Sequence, residues 1–102
     1  MEKNILIKIH KSYRWVVAIC DEELYGKLFT EGERQLDLTG NFFKGESMNE
    51  KKIRLEIIRC LREDANFNVV GDRSVGIIKK LGLAKESDII KIDSVPFILL
   101  LI

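Results

Sequence analysis

Three consecutive carboxylates, Asp21, Glu22 and Glu23, followed by Lys27 and Glu31, form the densest run of chemically capable side chains in the sequence. Two of them could hold Mg²⁺, or one could accept a proton in acid/base work. Neither chemistry finds its partners nearby, because nothing beside the acids reads as a nucleophile. With a single histidine and only Cys20 and Cys60 as thiols, a Cys/His zinc cluster is nearly excluded. A structural account covers most of the segment. Asp21 caps a short helical turn, Glu22 and Glu23 sit in its first turn where the helix dipole favours them, and Gly26 ends it in a left-handed conformation. Only Lys27 and Glu31 stay unexplained. The expectation is a protein without catalytic residues, metal or cofactor; a metal-assisted enzyme around Asp21, Glu22, Glu23 and Lys27 ranks last among three functional classes.

Charge points to a different chemistry. The net charge is +1, yet residues 21–50 carry eight acids against three Lys/Arg, and residues 51–85 carry nine Lys/Arg against four acids. No whole-protein field attracts nucleic acid, but a local basic face from residues 51–85 can form. Arg59, Arg62, Arg73, Lys79 and Lys80 are its candidates for contacting phosphate, with Tyr13, Arg14 and Trp15 as stacking groups. The plainer reading of the same residues is a solvated helical surface. In Asn68–Ser74 a loop enters a helix whose free N–H groups suit phosphate, but Asp72 as N-cap would occupy those donors. Asn68 then serves the loop backbone, Gly71 a strained turn, and Gly76 close packing of the helix on a sheet.

The elements that must position these groups follow from periodicity. Asn4–His10 and Tyr13–Cys20 alternate as strands joined at Lys11-Ser12, and Arg34–Thr39 alternates again up to Gly40. Ser47-Met48-Asn49-Glu50 has capping-box spacing and predicts a helix from Ser47, with Ile53, Ile57, Cys60 and Leu61 inward and Ile58 at the margin, ending before a loop at Ala65–Asn68. A second helix begins near Asp72, turns Val75, Ile78 and Leu81 inward, and ends with Lys79, Lys80 and Gly82. Asp88–Asp93 reads as a short strand broken by Pro96. The apolar Phe97–Ile102 is too short to span a bilayer and must be hidden, either in its own sheet, which fits a monomer and is favoured, or against another chain. These elements make one α+β domain over residues 1–102, a mixed, mostly antiparallel sheet with two main helices packed on it.

At 46% hydrophobic and 32% charged, 102 residues suffice for one core without disulfide staples. The N-terminal run has charges inside it and reads as neither signal peptide nor membrane span, and two lone cysteines suit a reducing cytoplasm.

The stretch Cys20-Asp21-Glu22-Glu23-Leu24-Tyr25-Gly26-Lys27-Leu28-Phe29-Thr30-Glu31-Gly32 resembles the signature of the archaeal family known as domain of unknown function 424. The likeness extends through Leu36, Leu38, Phe42, Phe43, Gly45 and Glu46, then Ala65, Asn68, Val70, Gly71, Asp72 and Val75, then Gly82-Leu83 and Val95-Pro96. After Val-Pro the family has His-Ala-Gln, where this chain has Phe97-Ile98-Leu99. The resemblance implies an archaeal cytoplasmic protein of mixed α and β structure and transfers no catalytic residues. A non-catalytic module binding RNA or a ribonucleoprotein, linked to translation or RNA processing, is the leading expectation. A protein-protein or homodimer module using the C-terminal apolar strand comes second.

Overall fold

Alternating β-branched and apolar residues build Ile5–His10 (β1) and Val16–Asp21 (β2), which pair antiparallel from Ile5 opposite Asp21 to His10 opposite Val16. In this computed structural model, which describes residues 3–102, β2 starts three residues later than the alternation from Tyr13 predicts. The first two residues of the N-terminal run lie outside the described residues. Ser12 Oγ donates to Arg14 O at 2.7 Å, a local bond that draws the backbone away from strand pairing and leaves Tyr13 wholly exposed.

After β2 come a 3-10 turn at Glu22–Leu24 and a hairpin of Leu28–Glu31 (β3) and Arg34–Asp37 (β4), of which only the second strand was legible. Glu46–Met48 (β5) then pairs with Ile5–Ile7 of β1. This moves the first helix, Glu50–Leu61 (α1), away from the predicted start at Ser47. Ser47 lies in β5 opposite Leu6, and Asn49 is the N-cap, its Oδ1 accepting from Lys52 N at 2.9 Å. Asn caps as well as Ser, so the strand edge of β1 decided which residue remained outside the helix.

The segment read as a loop at Ala65–Asn68 is instead mostly strand Asn66–Val70 (β6), parallel to β2 at the centre of the sheet. Asp72–Lys80 (α2) follows, then a 3-10 turn, Ile90–Ile92 (β7) and Val95–Leu100 (β8). Asp93 and Ser94, at φ 52° and 65°, make the two-residue turn between β7 and β8. Pro96 does not break a strand; it lies inside β8. Pro96 O accepts from Gly71 N at 2.9 Å, so the pairing of β8 with the end of β6 continues through the proline, and Gly71 O takes Val75 N at 2.9 Å as the first bond of α2. The six strands run β5-β1-β2-β6-β8-β7, antiparallel except for β2 and β6.

Both helices cover one face of this sheet. Ile53, Ile57 and Cys60 of α1 and Val75, Ile77 and Ile78 of α2 pack over Ile5, Ile7, Val17, Ile19, Phe67, Val69 and Ile98. On the other face Leu6, Ala18, Cys20 and Val70 lie under Leu38 and Phe43, with the β3-β4 hairpin beside them. The fold is therefore α+β, with β8 paired in its own sheet between β6 and β7; the expected burial of Phe97–Ile102 is only partial, since Leu99, Leu101 and Ile102 stay exposed. One expected packing device is overturned. A Cβ on Gly76 would meet nothing within 4 Å, because that side of α2 faces open space rather than the sheet. Among the described residues no helix is long and apolar enough to cross a membrane.

Candidate functional site

The three acids of the signature segment part company in space. Asp21, at the end of β2, is 4% exposed. Its Oδ1 accepts from Ser74 N at 2.9 Å and Ser74 Oγ at 2.7 Å, and its Oδ2 accepts from Arg73 N at 3.1 Å. Asp21 is therefore a helix cap, but for α2 rather than for the adjoining 3-10 turn, which has no side-chain cap. Asp72 is the first helical residue and exposed, so it is not the predicted cap; the cap position belongs to Gly71 at φ 107°. A Cβ there would lie 2.4 Å from Asp21 Cγ. The turn and the inserted carboxylate both require glycine at 71.

Glu23 takes a bidentate contact from Arg73, at 2.6 and 2.7 Å, and Arg73 Nη2 also donates to Asn4 O at 3.0 Å. The Arg73 bond holds the Glu23 carboxyl down at about 2. Arg73 thus ties the N-terminal end of α2 to the start of β1 and the end of β2. Glu22 is exposed, its backbone N–H donating to Asn4 O at 3.2 Å. Glu31 has a structural task that spacing could not show: its Oε1 accepts from Asp93 N at 2.9 Å and steadies the β7-β8 turn. Lys27 is exposed, and its backbone oxygen accepts from Leu38 N at 2.9 Å. Asn68, half-buried, stands in β6 between Ala18 and Leu99 rather than in a loop. Burial, then the neighbouring Asp21 charge, pushes the Cys20 thiol up to about 12, and burial raises Cys60 as well, so neither is a thiolate near neutral pH. Among the described residues no group of three or more His, Cys, Asp or Glu is placed to hold a metal ion.

Three of the five basic candidates already hold an acidic partner. Arg73 is committed to Glu23, Lys79 pairs with Glu86, and Arg59 Nε donates to Glu56 at 2.8 Å. Arg62 and Lys80 are exposed. Of the Tyr13–Trp15 candidates, Tyr13 and Arg14 share one hollow with the acids Glu63 and Asp64, Arg14 donates to Asp64 O and Ile102 O, and Lys11 lies 4.8 Å over the Trp15 ring.

Arg59 instead opens on a groove of 590 Å³ between α1 and the outer edge of β1, beyond the reach of β5. Its floor is Ile7, Ile9 and Met48; its charged lining is Lys8, Lys44, Glu46, Glu56 and Arg59, and it continues past Lys52 and Leu55. Counting charge in blocks missed this site, because Lys8 and Lys44 fall outside residues 51–85. The available signal was Lys8 itself, a cation inside an otherwise apolar strand.

Known proteins resemble the chain in sequence and in fold. The chain superposes on the crystal structure of an uncharacterized conserved protein from Methanopyrus kandleri with a TM-score of 0.84 and 26% identity, covering 94% of this chain and 89% of that one. A search of curated proteins gives no match. The family model described as protein of unknown function (DUF424) matches residues 9–101. The chain belongs to the DUF424 family.

Proposed function

We propose that this protein is a non-catalytic module that binds RNA or a ribonucleoprotein in the archaeal cytoplasm. The observation that carries the reading is the groove between α1 and β1, where Arg59 and Glu56 pair with each other and Lys8, Lys44 and Lys52 then face only Glu46. Cations along an open groove suit a phosphate backbone. Asp21 and Glu23 take no catalytic part in this reading, since their lone pairs are occupied by α2 and Arg73. The buried, unpaired Cys20 and Cys60 suit a reducing compartment.

The test is retention of a labelled single-stranded RNA against salt. Replacing Lys8 and Lys44 by Ala should flatten the slope of log affinity against log salt by about 1.4, two phosphate contacts at roughly 0.7 each. Native protein that shows no salt-dependent retention refutes the reading.

A second reading has its own observation. Although β8 lies within the sheet, Leu99, Leu101 and Ile102 are 53%, 66% and 52% exposed, an apolar strip that suits contact with a protein partner or a second copy. Light scattering across a dilution series tests it, with a constant monomer mass excluding the second copy.

A further inference from the structure

We propose that the groove takes single-stranded RNA, with one base stacked on the Phe42 ring, and discriminates against duplex; this rests on the RNA-binding reading. The groove wall runs along Lys8 and Ile9 on one side and Lys44 on the other. The next residue of β1 is His10, and two residues before Lys44 lies Phe42. His10 Nε2 donates to Phe42 O at 2.9 Å, which holds the two walls together beyond the groove.

Phe42 is both exposed and fixed. Its ring lies parallel to the His10 imidazole, with centroids 4.7 Å apart and planes 10° off, and the Phe43 ring meets it edge-on at 5.1 Å. Phe43 is buried at 6%, whereas Phe42 remains 41% exposed. A large apolar ring held in one orientation at the surface has already lost its rotamer freedom, so a base laid on it meets a smaller ordering cost.

The surrounding charges match one nucleotide strand. Lys8 shares a sheet face with His10 by strand alternation, opposite to Ile7 and Ile9, and Lys44 follows Phe42 by two residues, so a nucleotide strand passes from the groove to the ring over the edge of β1 that β5 leaves free beyond Ile7. Arg59 gives its Nε to Glu56 and lines the groove from α1. Aromatic platforms interleaved with cations bind single strands, because every base has a face to stack and every linkage a phosphate. A duplex keeps its bases stacked on one another, offering this site phosphates and ribose but no face for Phe42. The apolar floor of Ile7, Ile9 and Met48 fits a base or ribose and gives a phosphate nothing.

The experiment measures fluorescence anisotropy of a labelled oligouridine about a dozen nucleotides long and of an RNA duplex of the same length, a span typical of small single-strand modules. The expected result is a preference for the single strand of roughly ten-fold, a loss of roughly ten-fold for the single strand alone in Phe42→Leu, and recovery in Phe42→Trp. Circular dichroism establishes that each variant is folded. Should Phe42→Leu not fold, Phe42→Trp in a Trp15→Phe background provides a single tryptophan that can be excited selectively, and oligouridine should quench it. Equal affinity for duplex, an unchanged affinity in Phe42→Leu, or an introduced indole that stays unquenched at saturating RNA overturns the stacking proposal while leaving the RNA reading in place. Absence of salt-dependent binding to either RNA overturns both.

Discussion

Replacing Asp21 with Ala removes one carboxylate from three donors at once. Two of them, Ser74 N and Ser74 Oγ, belong to a residue that is only 1% exposed, so water cannot take the place of the lost acceptor. Losing a helix cap costs about 1 kcal/mol, and each buried donor left unmatched adds about 1–3 kcal/mol. The sum, about 3–7 kcal/mol, is a large part of the roughly 5–15 kcal/mol that holds a small domain together. Asp21→Asn keeps an acceptor for Ser74 but turns an amide toward the Arg73 N–H, so its cost should be smaller, about 1–2 kcal/mol. Urea unfolding checks both, provided the slope against denaturant stays constant between variants. A midpoint for Asp21→Ala that implies less than about 1 kcal/mol would refute the view that this carboxylate is the cap of α2. Gly71 supplies a cross-check. Gly71→Ala pushes a Cβ to 2.4 Å from Asp21 Cγ, an atom that Asp21→Ala removes. The double variant should therefore be more stable than the two single costs imply, with a coupling of about 1–2 kcal/mol.

Asn49→Ala should destabilise by about 1 kcal/mol in the same unfolding assay, while Ser47→Ala, exposed in β5, should stay within about 0.5 kcal/mol. Gly76→Ala should stabilise by about 0.5–1 kcal/mol, because the added methyl meets open space and the helix interior gains a better helix former. Glu23 has a folded-state carboxyl at about 2, below its unfolded value, so its contact with Arg73 stabilises above the unfolded value and is lost as pH falls toward 2. The stability gap between the wild type and Glu23→Gln should accordingly be full at neutral pH and close on acidification; a gap that persists unchanged at the acid end counts against the pairing. The gap should be modest, since the Glu23 side chain is 38% exposed.

What was legible in the sequence is what local pattern can encode. Ile5, Ile7, Val17 and Ile19 lie on one sheet face, and Ile53, Ile57 and Cys60 on the facing side of α1, as their periods require. Asn66 and Asn68 concealed β6, because polar residues in a strand are usually a sign of a loop, and here the central position of the strand is set by its parallel pairing with β2. Ser47 against Asn49 was undecidable locally: both cap well, and only the free edge of β1 distinguishes them. The candidate site fared worse for the same reason. Asp21 reads as a cap, yet the helix it caps begins fifty residues on, and Lys8 and Lys44 line one groove only because Gly45 lies directly against the backbone of Ile7 and Lys8.

The Asp21 cap spans 53 positions between strand end and helix, which gives it a place in time as well as in space. Nine residues are too few for α2 to persist alone in water, and closing so long a loop is entropically unfavourable until other contacts hold its ends. The expected order is that the helix condenses onto β2 and β6 after those strands have found their parallel register, on the far side of the folding barrier. Asp21 then acts as a latch on the finished molecule. Its loss should show in the unfolding arm of a chevron plot and leave the refolding arm nearly unmoved.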